Sequence, residues 1–136
     1  MKLDRLGMRC IAAGALLMLA GVILGAFGAH SLQSVLTPRQ LARYVTGVTY
    51  QQVHSIGLIL VGVIAQATPP SPWLQRAAVL FGIGITFFSG SIYAMTLGAP
   101  RWLGMVAPIG GAFFMLGWAA LAAHALRVPG RTETLR

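Results

Sequence analysis

Four long stretches without a charged residue divide this chain, at about 10–28, 47–67, 77–97 and 102–126. Each is close to the twenty or so apolar residues that cross roughly 30 Å of hydrocarbon as a helix. Between them lie short polar or proline-rich connections, and no stretch reads as an interdomain linker. The chain is 57% hydrophobic and 9% charged, far below the roughly 25% charged residues of a soluble domain. The expected fold is all-α: a single integral membrane domain over residues 1–136, built as an antiparallel four-helix bundle.

The net charge of +8 raises the question of nucleic acid, and the charge positions answer it. The basic residues sit almost wholly between or outside the apolar runs, and no basic helix with interleaved aromatics is present. That is a membrane protein's distribution, with cations facing water and anionic headgroups; the partner expected is the lipid bilayer, not nucleic acid. Four spans put both termini on one side. Lys2, Arg5, Arg9, Arg76, Arg127, Arg131 and Arg136 fall there, against Arg39, Arg43 and Arg101 on the other. This bias predicts cytoplasmic termini. The single cysteine, Cys10, excludes an internal disulfide and a cysteine-based zinc site. Ala26-Phe27-Gly28-Ala29 offers small residues for signal cleavage, but the apolar run before it is longer than a signal core, and more spans follow.

Thr37-Pro38-Arg39-Gln40 reads as a helix start, with Thr as N-cap, Pro in the first turn and Gln three residues after the cap. A helix from there to Ala67 exceeds the bilayer core. Residues 38–46 are therefore expected outside or along the interface, with a bend near Gly47 and with Tyr44 and Tyr50 as interfacial anchors. Three prolines within Thr68–Pro72 make a turn, and Trp73 marks the interface. Pro108 predicts a kink in the fourth span. The tail, 127–136, is basic and expected to be flexible.

Small residues predict where helices approach closely. Gly21 and Gly25 form a ridge on the first span. Gly82, Thr86, Gly90 and Ala94 recur every four residues on the third. Gly110 and Gly111 follow Pro108 on the fourth.

The second span opens with a polar patch. On a helix, Gly47, Gln51, His54, Ser55, Leu58, Gly62 and Ala65 share one sector. Hydrocarbon penalises unpaired polar groups, so this face should turn toward protein. With His30, Tyr50, Ser89 and Tyr93 these residues make a candidate polar cluster in one half of the bilayer. Imidazoles, with the thioethers of Met95 and Met105, suit copper, and two imidazoles suit a haem iron. A proton relay is a further option. No Cys-x-x-Cys-His or His-x-x-x-His occurs, the only acids are Asp4 and Glu133, and no serine is paired with a His and an acid. The expectation is no metal, no cofactor and no catalysis, with His54, Gln51 and Ser55 fixing helix register and His30 and His124 interfacial.

Several motifs together resemble one group. They are Gly25-Ala26-Phe27-Gly28-Ala29-His30; Tyr50-Gln51 with His54; Phe88-Ser89-Gly90-Ser91 with Tyr93; and Pro108-Ile109-Gly110-Gly111 before Gly117-Trp118. Their order over nearly the whole chain resembles uncharacterised protein family 0382, also called domain of unknown function 423. That resemblance implies a multi-pass bacterial inner-membrane protein and supplies no established reaction. In the family pattern an acidic residue often precedes the Tyr-Gln motif and a basic one adjoins it. Val45 and Thr49 stand at those positions here. The function expected is a structural or accessory role in membrane integrity or a larger complex, with possible homo-oligomers; a transporter or channel component, or a haem, quinone or copper protein, are the alternatives.

Overall fold

The computed structural model describes residues 4–127. Four long helices follow one another: α1 (Arg5–Phe27), α2 (Pro38–Ala67), α3 (Pro72–Thr96) and α4 (Val106–Arg127). A π turn, Gly28–Leu32, extends α1, and a 3₁₀ turn, Arg101–Met105, leads into α4. No strand occurs among the described residues. All four helices are long and apolar enough to cross a membrane. The tail expected over 127–136 lies, past Arg127, outside the described residues, as do Lys2 and Glu133.

Local chemistry sets the helix starts. Asp4 caps α1, accepting from the Gly7 N–H at 2.7 Å. Thr37 and Gln40 form the reciprocal capping box expected of them, with bonds of 3.3 and 2.9 Å, and Pro38 opens α2. Ser71 caps α3, accepting from the Trp73 N–H, and Pro72 is its first residue. Pro108 lies in the first turn of α4, three residues past the point where the 3₁₀ turn gives way to the α-helix. A backbone N–H that early has no α-helical partner to lose, so the ring is accommodated there.

Consecutive helices pack side by side: α1 on α2, α2 on α3, and α3 on α4. The least apolar helix, α2, is the most buried, and the most apolar, α1, is the least. Burial in a bilayer follows the need to hide polar groups, since lipid is as apolar as any leucine.

Glycines make the closest seams. Gly7, Gly14, Gly21 and Gly28, seven residues apart, are all buried on the α2 side of the α1 segment. A Cβ on Gly14 would lie 2.6 Å from the Ser55 carbonyl oxygen, and one on Gly62 would lie 2.6 Å from that of Gly7. The predicted Gly21–Gly25 ridge is thus half right. Gly25 is outside the tight seam, where a Cβ would meet Val48 at an ordinary 3.5 Å. Between α3 and α4, Gly84 accommodates the Phe114 ring, Gly110 lies against the Phe88 backbone, and Gly117 leaves room for Phe81. Gly111 stands back, with Phe88 at 3.9 Å from a Cβ there.

The stripe Gly82, Thr86, Gly90 and Ala94 does not serve as an internal packing face. Thr86 is exposed, and a Cβ on Gly82 or Gly90 would meet nothing within 4 Å. The buried residues of α3 are instead Leu74, Ala77, Phe81, Gly84, Ile85, Ser89, Ser91 and Ile92. Small-residue periodicity shows that one face is smooth, and the opposing face is decided by what the neighbouring helices offer.

One end of the bundle is tied by several contacts. The Gln66 amide receives the Asp4 N–H and donates to the Asp4 carbonyl, each at 2.9 Å. Thr68 Oγ1 meets His124 Nε2 at 3.3 Å. The guanidinium groups of Arg76 and Arg127 lie 4.7 and 4.4 Å from the Trp73 ring centre. The start of α1, the α2–α3 connection and the end of α4 therefore share one side. His124, expected at the interface, is buried at this tie.

Substitution should separate the two kinds of glycine. Gly14→Ala forces a Cβ into the α2 backbone and should destabilise the protein by about 1–3 kcal/mol. Gly82→Ala enters open space and should stabilise it by about 0.4–1 kcal/mol. Equilibrium unfolding in mixed micelles reads both; equal effects would contradict the packing described.

Candidate functional site

The sector predicted for α2 faces inward along its length. Gly47, Gln51, His54, Ser55, Leu58, Gly62 and Ala65 are all buried. The polar side chains among them are all hydrogen-bonded, those of Gln51 and His54 across to other helices. Gln51 Nε2 donates to the Leu17 carbonyl of α1 at 2.8 Å, and Gln51 Oε1 accepts from the Tyr93 hydroxyl of α3 at 2.8 Å. Ser55 returns its hydroxyl proton to the Gln51 carbonyl at 2.6 Å. Ser89 donates to the Gly47 carbonyl at 2.7 Å, joining α3 to α2.

His54 uses both ring nitrogens. Nδ1 lies 2.7 Å from the Tyr50 carbonyl, and Nε2 lies 3.1 Å from Trp118 Nε1 of α4. A carbonyl only accepts and an indole N–H only donates. The pair therefore assigns the proton to Nδ1 and the lone pair to Nε2, a neutral imidazole. Phe114 stacks on the ring, with centroids 3.5 Å apart and planes 11° from parallel. Phe81 approaches at 5.6 Å.

Of the residues singled out in the sequence, Gln51, His54, Ser55, Ser89 and Tyr93 belong to this network. Tyr50 contributes only its carbonyl; its ring is exposed and stacks on Phe88 at 4.6 Å. His30 is not part of it. It sits exposed in the π turn, so the pairing of His30 with His54 expected for a haem does not form. Met95 packs beside Gly104, and Met105 is exposed. Among the described residues, no three His, Cys, Asp or Glu side chains gather as a metal site would require.

The structure adds residues that the sequence reading left out. Trp118 and Phe114 complete the surroundings of His54. Tyr44, expected as an interfacial anchor, is buried, and its hydroxyl donates to the Leu24 carbonyl at 2.8 Å. Gly28 leaves the space for its ring. A signal existed for Tyr44: it stands seven residues before Gln51, two helical turns along the same face. Val45 and Thr49, by contrast, are exposed, and the Thr49 hydroxyl bonds to the Val45 carbonyl at 2.9 Å.

Every buried side-chain nitrogen and oxygen among the described residues has a hydrogen-bond partner. Fold and network together define an integral membrane four-helix bundle with a closed polar interior. A family model described as a protein of unknown function, DUF423, matches residues 24–111. The chain is 38% identical over 120 residues to a UPF0382 membrane protein of Staphylococcus epidermidis, covering 88% of this chain and 97% of that protein. It is 34% identical over 117 residues to the UPF0382 membrane protein YwdK of Bacillus subtilis, covering 86% and 95%. It is 35% identical over 107 residues to the UPF0382 inner membrane protein YgdD of Escherichia coli K12, covering 79% and 81%. The chain belongs to this UPF0382, or DUF423, family of membrane proteins, for which no specific activity is established. No solved structure matches it. Gln51, His54, Ser89 and Tyr93 fall inside the matched segment, whereas Phe114 and Trp118 lie beyond it.

The network has a measurable coupling. Tyr93→Phe removes one oxygen and should cost about 1 kcal/mol, the worth of a buried hydrogen bond. Combined with Gln51→Leu in a double-mutant cycle, the pair should show a coupling of about 0.6–1.7 kcal/mol, as interhelical bonds in membranes do. A coupling near zero in bicelle unfolding would mean that the two side chains do not meet.

Proposed function

We propose that this protein is a non-catalytic structural or accessory component of the bacterial inner membrane, either in its own right or within a larger complex. The observation that carries this reading is the saturation of its polar interior. Gln51, the residue best suited to greet a solute, has its amide committed to α1 and α3. His54 has no lone pair or proton left for a ligand, since Tyr50 and Trp118 take both. A transport pathway would need these bonds to open, and a metal or haem would have to displace Trp118. The inner-membrane assignment draws on the printed name of the Escherichia coli relative.

We also infer that both termini face the cytoplasm. Arg5, Arg9, Arg76 and Arg127 lie at the tied end of the bundle, against Arg39, Arg43 and Arg101 at the other. Cytoplasmic segments carry the excess of Lys and Arg.

Two measurements test these readings. Purified protein in liposomes should pass no protons, metal ions or small solutes above the rate of empty vesicles; flux abolished by Gln51→Leu would replace the structural reading with transport. Alkaline phosphatase fused after Leu36 should be active in cells and after Pro70 inactive, and the reverse pattern would invert the topology.

A further inference from the structure

The tied end of the bundle contains a feature that the polar network does not use. A cavity of about 460 Å³ lies between the start of α1 and the α2–α3 connection. Leu6, Ala65 and Leu74 form its apolar lining, together with the prolines of the connection, and Asp4, Arg9, Ser71 and Gln75 supply its polar groups. Its size is within the range of small-molecule sites, as is its combination of apolar walls with a few polar groups. It stands at the end of the spans, where Trp73 with Arg76 and Arg127 over its ring makes the aromatic and basic belt typical of a membrane–water interface.

The charges lining it are of both signs. Arg9 is an exposed cation whose guanidinium suits a phosphate. Asp4 is the one acid among the described residues. It is held in place twice: Gln66 clamps its backbone, and its Oδ2 caps Gly7. Its other oxygen, Oδ1, takes no hydrogen bond from the described residues. Ser71 Oγ accepts from the Trp73 N–H, which leaves its own proton to donate. A cavity at a strongly basic membrane surface that also carries a fixed carboxylate is ill-suited to a purely anionic headgroup. It suits a group bearing a phosphate and a primary ammonium a few bonds apart.

We propose that this cavity binds the phosphoethanolamine headgroup of a phospholipid. Arg9 and Ser71 take the phosphate, Asp4 Oδ1 takes the ammonium, and Leu6 with Pro69 and Pro70 meets the first carbons of the lipid. A choline headgroup has no N–H to give Asp4, and a glycerol headgroup has no cation. The site is independent of the structural role proposed above, since it shares no residue with the Gln51–His54 network.

Native mass spectrometry on the full chain, delipidated and offered equal amounts of phosphatidylethanolamine, phosphatidylglycerol and phosphatidylcholine, tests this. One phosphatidylethanolamine should be retained per chain, with a preference of roughly fivefold over the other two, the worth of one partly exposed ion pair. Asp4→Asn keeps a side chain that caps helices equally well and should erase the preference over phosphatidylglycerol. Arg9→Gln should weaken retention of both. Equal retention of all three lipids by the unaltered protein would overturn the proposal, and that arm needs no variant to fold. So would an unchanged preference in Asp4→Asn. Displacement of the lipid by an equal concentration of free O-phosphoethanolamine would overturn the assignment to a lipid in favour of a soluble solute.

Discussion

One side-chain amide links three of the four helices. Gln51 gives its N–H to α1 and takes the Tyr93 proton from α3, while its own helix supplies the third strand of the tie. In water such bonds would trade against solvent and fix little. In hydrocarbon there is no solvent to trade with, so an orientation of α2 that turned Gln51 outward would strand both ends of the amide. That penalty sets the rotation of α2. With α2 rotated as it is, Ser55, His54 and Gly47 are brought inward too, and Ser89 and Trp118 have fixed partners.

Packing then acts within the rotation that the polar groups impose. Where α1 meets α2, glycine after glycine removes the side chain that would hold the backbones apart. Where α4 meets α2, large rings bridge the gap, with Phe114 and Trp118 reaching across to His54. α1 is thus joined to α2 by close backbones, whereas α4 has its close glycine seam with α3 and reaches α2 through aromatic side chains. Dispersion between well-fitted surfaces carries both, since the bilayer offers no hydrophobic drive for helices to associate.

How much of this was legible depends on how each signal arises. The spans and the inward face of α2 could be read directly, because length and the cost of buried polarity are properties of single segments. The cap at Thr37 could be read for the same reason. The choice between two faces of α3 could not, because the smooth stripe at Gly82 and Gly90 and the bulky face at Phe81 are equally consistent with a membrane helix. Depth alone put His30 and Tyr50 into the polar cluster, whereas both side chains are exposed, as the interfacial reading of each also implies. Trp118 is a different case. Its bond to His54 joins residues far apart in the chain, and nothing local announces it. The seven-residue spacing of Gly7, Gly14, Gly21 and Gly28 was present in the letters, but a search for glycines four apart passes over it.

That spacing has a consequence for how this pair of helices can change over time. A residue inserted between Gly14 and Gly21 would swing everything beyond it by about 100° around the helix axis. Gly21 and Gly28 would leave the seam and bulkier neighbours would enter it. Exchanges of one lipid-facing aliphatic for another, at Leu16 or Ile23, leave the seam untouched. Descendants of this chain are therefore free to drift in composition along α1 while its length between the first and last of these glycines stays locked.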